Sequence, residues 1–263
     1  MRNIVLCADD YGLSPGVSRA IRELLSKRRL TATSCMVVFP EFASDGPLLR
    51  PFFDQADIGL HVTLTAGRPL SSVLVKGWLR RLDARATREG VDRQVDTFTR
   101  AMGRPPAYLD GHQHVHLLPG AREAVVDAAK RSGAYLRVTR EPVTLAMLKR
   151  PAPVDSVYLS WASRRLARLA RQHDVRTNTG FRGVRSFKER APFRELFRTM
   201  IDGAANGSIV MCHPGHVDET LTSRDPIHRQ REDEFAYLAS DDFPRDLEAA
   251  GFQLSRLDQH SAE

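Results

Sequence analysis

Residues 4–21 read IVLCADDYGLSPGVSRAI, and this stretch decides the fold class. The apolar, β-branched run from Ile4 to Ala8 predicts a buried strand. Ser14 followed by Pro15 is a helix-start signal, because Ser caps free amide groups and Pro suits the first helical position. A buried strand that passes directly into a helix is the repeating unit of an α/β protein with a parallel sheet.

The same alternation of strand and helix runs along the rest of the chain. Apolar runs that predict further strands lie at 34–39, 58–64, 108–118, 135–138 and 208–212, and helical patterns lie between them. No linker-like stretch rich in Pro, Ser or Gly interrupts this alternation. We therefore predict one catalytic domain over residues 1–263, either a β/α barrel or an open doubly wound sheet. The irregular, charged segment 66–93 predicts an insertion or a lid.

Composition excludes several classes of protein. With 42% hydrophobic and 27% charged residues, the 263-residue chain is neither disordered nor a disulfide scaffold. Its three cysteines each lie in an apolar run, which predicts buried thiols in a reducing compartment. No apolar run reaches the roughly 20 residues of a membrane helix, and no signal peptide precedes Asp9. We expect a cytoplasmic protein without a transmembrane segment.

The net charge of +7 is weak support for an anionic partner. Of the 39 basic residues, 34 are Arg, and they are spread along the chain, whereas nucleic-acid binding needs a clustered footprint. We therefore predict no nucleic-acid partner. Arg164, Arg165, Arg168 and Arg171 recur at helical spacing, which is typical of a solvated basic face. A helix that lies on a membrane surface is the alternative.

Polar side chains capable of chemistry gather where the predicted strands end. Functional residues at the carboxyl ends of several strands are typical of a barrel active site. No GxGxxG or P-loop follows any strand, which disfavours a nucleotide site. The residues in question are Asp9, Asp10, His61, Asp110, His112, His114, His116, Arg137 and His213.

Taken one at a time, most of these residues can be explained by a structural role. Asp9 and Asp10 fit a capping turn, and His61 fits a core histidine. If residues 110–116 are extended, however, their three histidines share one face, which suits a metal and its supporting partners. His213 should face away from Cys212, which makes a Cys–His nucleophile unlikely and leaves His213 as an acid–base candidate.

Together the residues form a mixed oxygen and nitrogen set. Three protein ligands with open positions are the form of a catalytic metal site, and a spare carboxylate and a histidine can serve as base and acid. The set is suited to metal-assisted hydrolysis of an amide or ester. Two other readings stay open, namely a phosphoesterase or amidohydrolase that uses two metals, and a sugar-binding protein without catalysis.

The chain resembles the YdjC-like carbohydrate deacetylases over nearly its whole length. Each matching motif is weak alone, but their order and spacing together are specific. The motifs are ADDYGLS at 8–14, GLHVTLT at 59–65 followed by GRPL at 67–70, LDGHQHVH at 109–116 and CHPG at 212–215.

The resemblance implies a distorted β/α barrel related to polysaccharide deacetylases. It implies removal of an N-acetyl group from an amino sugar in an oligosaccharide or glycoconjugate, with one divalent metal ion, Zn²⁺ or Mg²⁺. The substrate could be lipid-linked and the protein a homodimer. Matched by motif, the ligands are Asp10, His61 and His112, the base is Asp9 and the acid is His213. Asp110, His114 and Arg137 are expected to support these residues or to contact substrate.

Overall fold

A computed structural model describes residues 1–65, 69–142, 147, 152–187 and 191–257. The elements within these ranges alternate between strand and helix, as the sequence predicts. The strands are β1 (Arg2–Tyr11), β2 (Ala32–Cys35), β3 (Asp57–Val62), β4 (Tyr108–Gly111), β5 (Tyr135–Leu136), β6 (Gly180–Arg182), β7 (Ser208–Cys212) and β8 (Phe252–Leu254). The helices are α1 (Pro15–Ser26), α2 (Phe42–Asp45), α3 (Leu70–Trp78), α4 (Ala84–Met102), α5 (Ala121–Ser132), α6 (Pro153–Gln172), α7 (Phe193–Ile201), α8 (Glu219–Arg224), α9 (Arg229–Ala239) and α10 (Asp242–Ala249). Two 3₁₀ segments cover Gly46–Phe52 and His112–Leu117.

The described strands form one parallel sheet in the order β5-β4-β3-β2-β1-β7-β6, with β8 beside the start of β1. Its two edges approach each other, because Leu136 at the end of β5 bridges to Thr177 just before β6. The Asn178 side chain strengthens this seam through hydrogen bonds to both backbone groups of Val138. The sheet therefore curls into a distorted β/α barrel, and the open doubly wound alternative is wrong.

Strand β1 separates two apolar layers. Val5 and Cys7 belong to a cluster inside the curled sheet, whereas Ile4 and Leu6 belong to the larger core under the helices. Both faces of the strand are buried, which explains its continuous apolar sequence. The two-residue period places Asp9 on the inner side, next after Cys7.

Helix α1 begins as its sequence predicts. The Ser14 side chain accepts a hydrogen bond from the Val17 amide, and Pro15 is the first helical residue. All three cysteines are free and buried, as expected. On α6, Arg164, Arg165 and Arg168 are exposed, which matches the solvated basic face. No helix in the described ranges combines the length and the apolarity needed to cross a bilayer.

Four predicted strands end before their apolar runs do. Strand β3 ends at Val62, not at residue 64, and β5 ends at Leu136, not at residue 138. Strand β2 ends at Cys35, not Phe39, and β4 ends at Gly111, not Leu118. After Gly111 the chain turns into a 3₁₀ segment in which Gln113 and His114 have φ of 52° and 58°. The expectation of three histidines on one extended face is therefore wrong.

Segment 66–93 is described from residue 69 onward, so Gly67 and Arg68 of the GRPL motif lie outside the described residues. The remainder is more regular than predicted, because it contains α3 and the first half of α4. Asp83 caps α4 by accepting a hydrogen bond from the Ala86 amide. Whether this segment acts as a lid stays a prediction, as does the extent of the domain.

Candidate active site

A cavity of about 640 Å³ opens at the carboxyl ends of the strands. Its volume is within the usual range for small-molecule sites. The five residues predicted as ligands, base and acid come from four different parts of the sheet and line the cavity together, beside His114: Asp9, Asp10, His61, His112 and His213. Sequence positions more than 200 residues apart thus meet at one end of the barrel, as a parallel topology requires.

Adjacent carboxylates reach the same cavity because the end of β1 is irregular. The register between β1 and β2 shifts between Ala8 and Tyr11, and Asp10 has a φ of 71°. In a regular strand Asp9 and Asp10 would face opposite sides. The bulge and the left-handed conformation of Asp10 turn its side chain to the side of Asp9. Asp tolerates this conformation better than most residues, which fits its position here.

Three donor atoms converge at the cavity floor. Asp10 Oδ1 lies 3.0 Å from His112 Nδ1 and 3.4 Å from His61 Nε2. All three donor atoms lie within 4.8 Å of one another. Ligands of a tetrahedral ion with bonds of 2.0–2.1 Å are about 3.3 Å apart. The residues therefore fit a divalent cation, and one carboxylate with two imidazoles suits Zn²⁺ among other divalent ions.

The other nitrogen of His61 is fixed by a buried carboxylate. Asp110 Oδ1 lies 2.6 Å from His61 Nδ1, and Asp110 Oδ2 accepts a hydrogen bond of 2.5 Å from the Ser34 hydroxyl. Burial lowers the pKa of His61, but Asp110, Asp9 and Asp10 outweigh burial and raise this pKa to about 10. This carboxylate–imidazole arrangement orients ligating histidines in many metal sites.

Asp9 is held as an anion by a buried arginine. Arg137 donates to both Asp9 oxygens, at 2.6 and 2.7 Å, and lies 3.0 Å from Asp110 Oδ2. Burial alone would raise the pKa of the Asp9 carboxyl, but Arg137 and His61 lower it below its ordinary value. Arg137 and Asp110 have no exposed surface, so both support Asp9 and His61 and neither is placed to touch substrate.

His213 follows β7 on the cavity wall. Cys212 packs into the core under the helices while Met211 faces the barrel interior, so the predicted alternation along β7 is confirmed. The His213 backbone amide donates to Glu234, and its ring packs edge-on against Phe187 at 5.4 Å. Burial lowers the pKa of the His213 imidazole, and the nearby carboxylates of Asp10, Asp9 and Glu234 oppose this shift.

The remaining two histidines of the 110–116 motif do not join the donor cluster. His114 lines the cavity and packs edge-on against Phe181. His116 is fully buried, and its Nε2 lies 3.1 Å from the Arg137 carbonyl oxygen. Burial lowers the pKa of His116 to about 4, so this imidazole is neutral near pH 7. His116 is a structural residue that fixes the backbone of Arg137.

Sequence reasoning missed four charged residues of the site: Arg185, Asp225, Arg231 and Glu234. Arg231 on α9 contacts Asp10 Oδ2 at 2.7 Å and Asp225 at 2.8 Å, and only 2% of it is exposed. Glu234, one turn later, pairs with Arg185 and accepts from the His213 amide. The sequence offers no distinguishing signal for these residues, because charged side chains are typical of any solvated surface.

Comparison with known proteins agrees with this geometry. The sequence model described as YdjC-like protein matches residues 3–249. The chain belongs to the YdjC-like family. The match spans every strand except β8 and includes all five residues that meet in the cavity.

Two relatives of this chain are named as enzymes. Chitooligosaccharide deacetylases of Yersinia pestis (strain Pestoides F) and of Yersinia pseudotuberculosis serotype O:1b (strain IP 31758) are each 25% identical over 265 residues. The alignment covers 95% of this chain and 96% of each relative.

Solved structures share the fold of this YdjC-like protein. A protein of Enterococcus faecalis V583, provisionally named for cellobiose-phosphate cleavage, superposes with a TM-score of 0.73 at 20% identity and covers 98% of both chains. A family 4 acetyl xylan esterase of Clostridium thermocellum in complex with cobalt has a TM-score of 0.52 at 11% identity, over 98% of this chain and 89% of its own. These likenesses show that the chain shares the fold of these two proteins.

Proposed function

We propose that this protein is a metal-dependent deacetylase that removes the N-acetyl group from an amino sugar in an oligosaccharide or glycoconjugate. The observation that carries the proposal is the cavity that Asp9 and His213 line together with Asp10, His61 and His112, whose donor atoms lie close enough to hold an ion. The names of the Yersinia relatives support the reaction and the class of substrate. Zn²⁺ is the ion that the mixed donor set suits best, with Mg²⁺ as the alternative.

Asp10, His61 and His112 would hold the ion, which when bound lowers the pKa of water and polarises a carbonyl oxygen. Asp9 would take the proton of the attacking water. Arg137 keeps Asp9 ionised and fixed, so the carboxylate is ready to accept that proton without rotating. Because Arg137 also lowers the pKa of Asp9, this base is weak and depends on an acidified water.

His213, which also lines the cavity, would donate a proton to the departing amine. Its lowered pKa makes the imidazolium a stronger acid than a solvent-exposed histidine. Glu234 fixes the backbone at His213, and Phe187 limits the orientations of the ring. The products are acetate and a free amino sugar.

The contacts of Arg137 disfavour a two-metal phosphoesterase or amidohydrolase. Cys7, Asp9 and Asp110 are the second group of donors close enough to hold an ion. The Arg137 guanidinium already lies among these donors, 2.6 Å from Asp9, 3.0 Å from Asp110 and 3.5 Å from the Cys7 sulfur. A second cation there would displace the arginine and face its charge.

Acetate release tests the proposal directly. The purified protein is incubated with N-acetylglucosamine, its oligomers and an N-acetylated glycolipid, with and without a chelator. We expect release that the chelator abolishes and added metal restores. Absence of release from every compound, together with two ions bound per chain, would favour the two-metal hydrolase instead.

A further inference from the structure

An aromatic cluster lies at one side of the cavity, between α3 and α6. Trp78 Nε1 donates a hydrogen bond of 2.8 Å to the Tyr158 hydroxyl. The Trp78 and Trp161 rings lie 5.7 Å apart at an angle of 30°. None of these residues takes part in the chemistry proposed above. Trp78, Tyr158 and Trp161 are called the aromatic cluster below.

The aromatic cluster is continuous with the cavity but reaches beyond it. Tyr158 lines the cavity together with Asp155 and Leu159, its neighbours on the first half of α6. Trp161, one turn further along, does not line the cavity and is 54% exposed. A surface of rings therefore leads outward from the cavity wall to solvent.

Exposed aromatic rings are costly unless a partner covers them, and their flat faces suit a particular class of partner. A pyranose ring presents a face of C–H groups and a rim of hydroxyls. Trp and Tyr combine a large apolar surface with a polar group at the edge, which matches both parts of a sugar. The hydrogen bond between Trp78 and Tyr158 fixes two of the rings, so little freedom is lost on binding.

The charge at the cavity end of the cluster favours a sugar over a membrane surface. Asp155, at the cavity end of α6, is exposed and would repel anionic lipid. The first exposed arginines of α6, Arg164 and Arg165, lie three and four residues beyond Trp161, so they adjoin the outer ring and not the cavity end of the helix. The cavity end of the helix thus combines rings with a carboxylate, which can accept hydrogen bonds from sugar hydroxyls.

We infer that the aromatic cluster is a binding subsite for further sugar units of the substrate, with Tyr158 and Trp161 as its specificity-determining residues. This inference rests on the proposed function. The substrate would then be an oligosaccharide that extends from the cavity across the rings, and a single amino sugar would be a poorer substrate. The exposed rings of α6 would select chain length, and the residues at the cavity floor would carry out the reaction.

The composition of the chain makes a direct test available, since its two tryptophans, Trp78 and Trp161, both belong to the cluster. Tryptophan fluorescence of the wild-type protein therefore reports on this surface alone. The protein is titrated with glucosamine and with glucosamine tetramer, neither of which carries an acetyl group. We expect the tetramer to shift the emission at a concentration at least about tenfold lower than the monomer. No shift with either sugar, or equal affinity for both, would overturn the inference.

Vesicles of phosphatidylcholine with phosphatidylserine are a parallel arm of the titration. A shift of emission with these vesicles and none with the sugars would assign the cluster to a membrane surface and overturn the inference. Because this titration needs no turnover, it still decides the inference if acetate release, and with it the proposed function, fails.

Kinetics of a conservative pair of variants complete the test. Trp161→Ala should lower kcat/KM about tenfold for the N-acetylglucosamine tetramer and less than twofold for the monomer. Trp161→Phe should retain most of the activity on the tetramer. Leu48→Ala, a control at another exposed apolar residue that does not line the cavity, should leave both values unchanged. Equal loss on monomer and tetramer in Trp161→Ala would contradict a subsite.

Discussion

Some side chains at the cavity floor are placed to bind an ion, and others keep these ligands in position. Asp10 and His61 converge on one point, while Asp110 and Arg137 lie behind them without contact with solvent. Such outer residues set the orientation and charge of inner ones. Support of a ligand and action as a base can therefore be separated by experiment, because loss of Asp110 should weaken binding of the ion and loss of Asp9 should lower turnover alone.

Asp9→Asn tests the base. The amide retains the shape of the carboxylate but cannot accept the proton, so we expect kcat to fall by about 10²–10⁴-fold. The metal content should not change, because Asp9 is not among the three proposed ligands. Turnover and bound metal are measured on the same preparation. Wild-type turnover in the variant would exclude Asp9 as the base.

Asp110→Asn tests the support of His61. Loss of the carboxylate at His61 Nδ1 should weaken binding of the metal by about 10–100-fold, measured by titration with a competing chelator. Ser34→Ala is the matched control, because Ser34 contacts the other oxygen of the same carboxylate. Equal effects of the two variants would indicate a general disturbance of the buried network.

Sequence reasoning found the residues at the strand ends and missed those on the helices. Asp9, Asp10 and His213 directly follow apolar runs, and His61 and His112 lie within two others, close to the ends of strands at which a parallel sheet gathers side chains. Arg231 and Glu234 lie on α9, whose sequence RQREDEFAYLA resembles a solvated surface helix. Their burial depends on the packing of the last quarter of the chain over the cavity, which no local pattern encodes.

At the scale of elements, neighbouring strands pack closely because a small residue on one strand lies beside a large side chain on the next. A Cβ atom added at Gly59 on β3 would lie 2.4 Å from Tyr108 Cζ on β4, well inside van der Waals contact. Tyr108 in turn stacks on Tyr135 of β5, with ring centroids 5.0 Å apart. The inner layer of the barrel thus depends on the absence of a side chain at Gly59.

Gly59→Ala should therefore destabilise the fold. Overpacking of a well-filled core lowers the free energy of unfolding by about 1–3 kcal/mol. Urea unfolding followed by circular dichroism gives this difference. Gly90→Ala is the control, because the nearest atom to its new Cβ on helix α4 is 3.8 Å away. That change should raise stability by about 0.5–1 kcal/mol, and a lower midpoint in both variants would contradict the packing argument.

The element boundaries were predictable where the apolar run and the strand coincide, as in β7. They were not predictable at β4, where the apolar and polar alternation continues through residues that fold into a 3₁₀ segment. Because Gln113 and His114 have left-handed conformations, His112 joins the donor cluster and the other two histidines of the motif do not. The pattern of apolar residues does not predict which non-glycine residues adopt a left-handed backbone conformation.

Across the part of the molecule that the structure describes, acidic side chains around the proposed ion pair closely with basic or imidazole side chains. Asp9, Asp10, Asp110 and Asp225 face His61, His112, Arg137 and Arg231. A bound divalent cation would add a partner that only the folded chain offers in this arrangement. Ligands that bind the folded state alone raise its stability by mass action.

Metal removal should thus lower the thermal stability of the entire chain. At a free Zn²⁺ concentration of 100 times Kd, the stabilisation is about 2.7 kcal/mol. We expect a chelator to lower Tm measurably and added Zn²⁺ to restore it. The His61→Ala variant should show no such response, and a chelator-sensitive Tm in that variant would place the ion elsewhere.

The position of β1 at the centre of the sheet has a consequence for biosynthesis. One edge of β1 pairs with β2, which follows within the first 35 residues, but Ile4 finds its partner Ser208 about 200 residues later. At 5–20 residues per second, a ribosome needs roughly 10–40 s to supply that partner. During this interval an apolar strand has an unpaired edge, which is a template for aggregation. Recombinant yield should therefore respond to slower growth at low temperature and to co-expressed chaperones more than the stability of the finished protein would suggest.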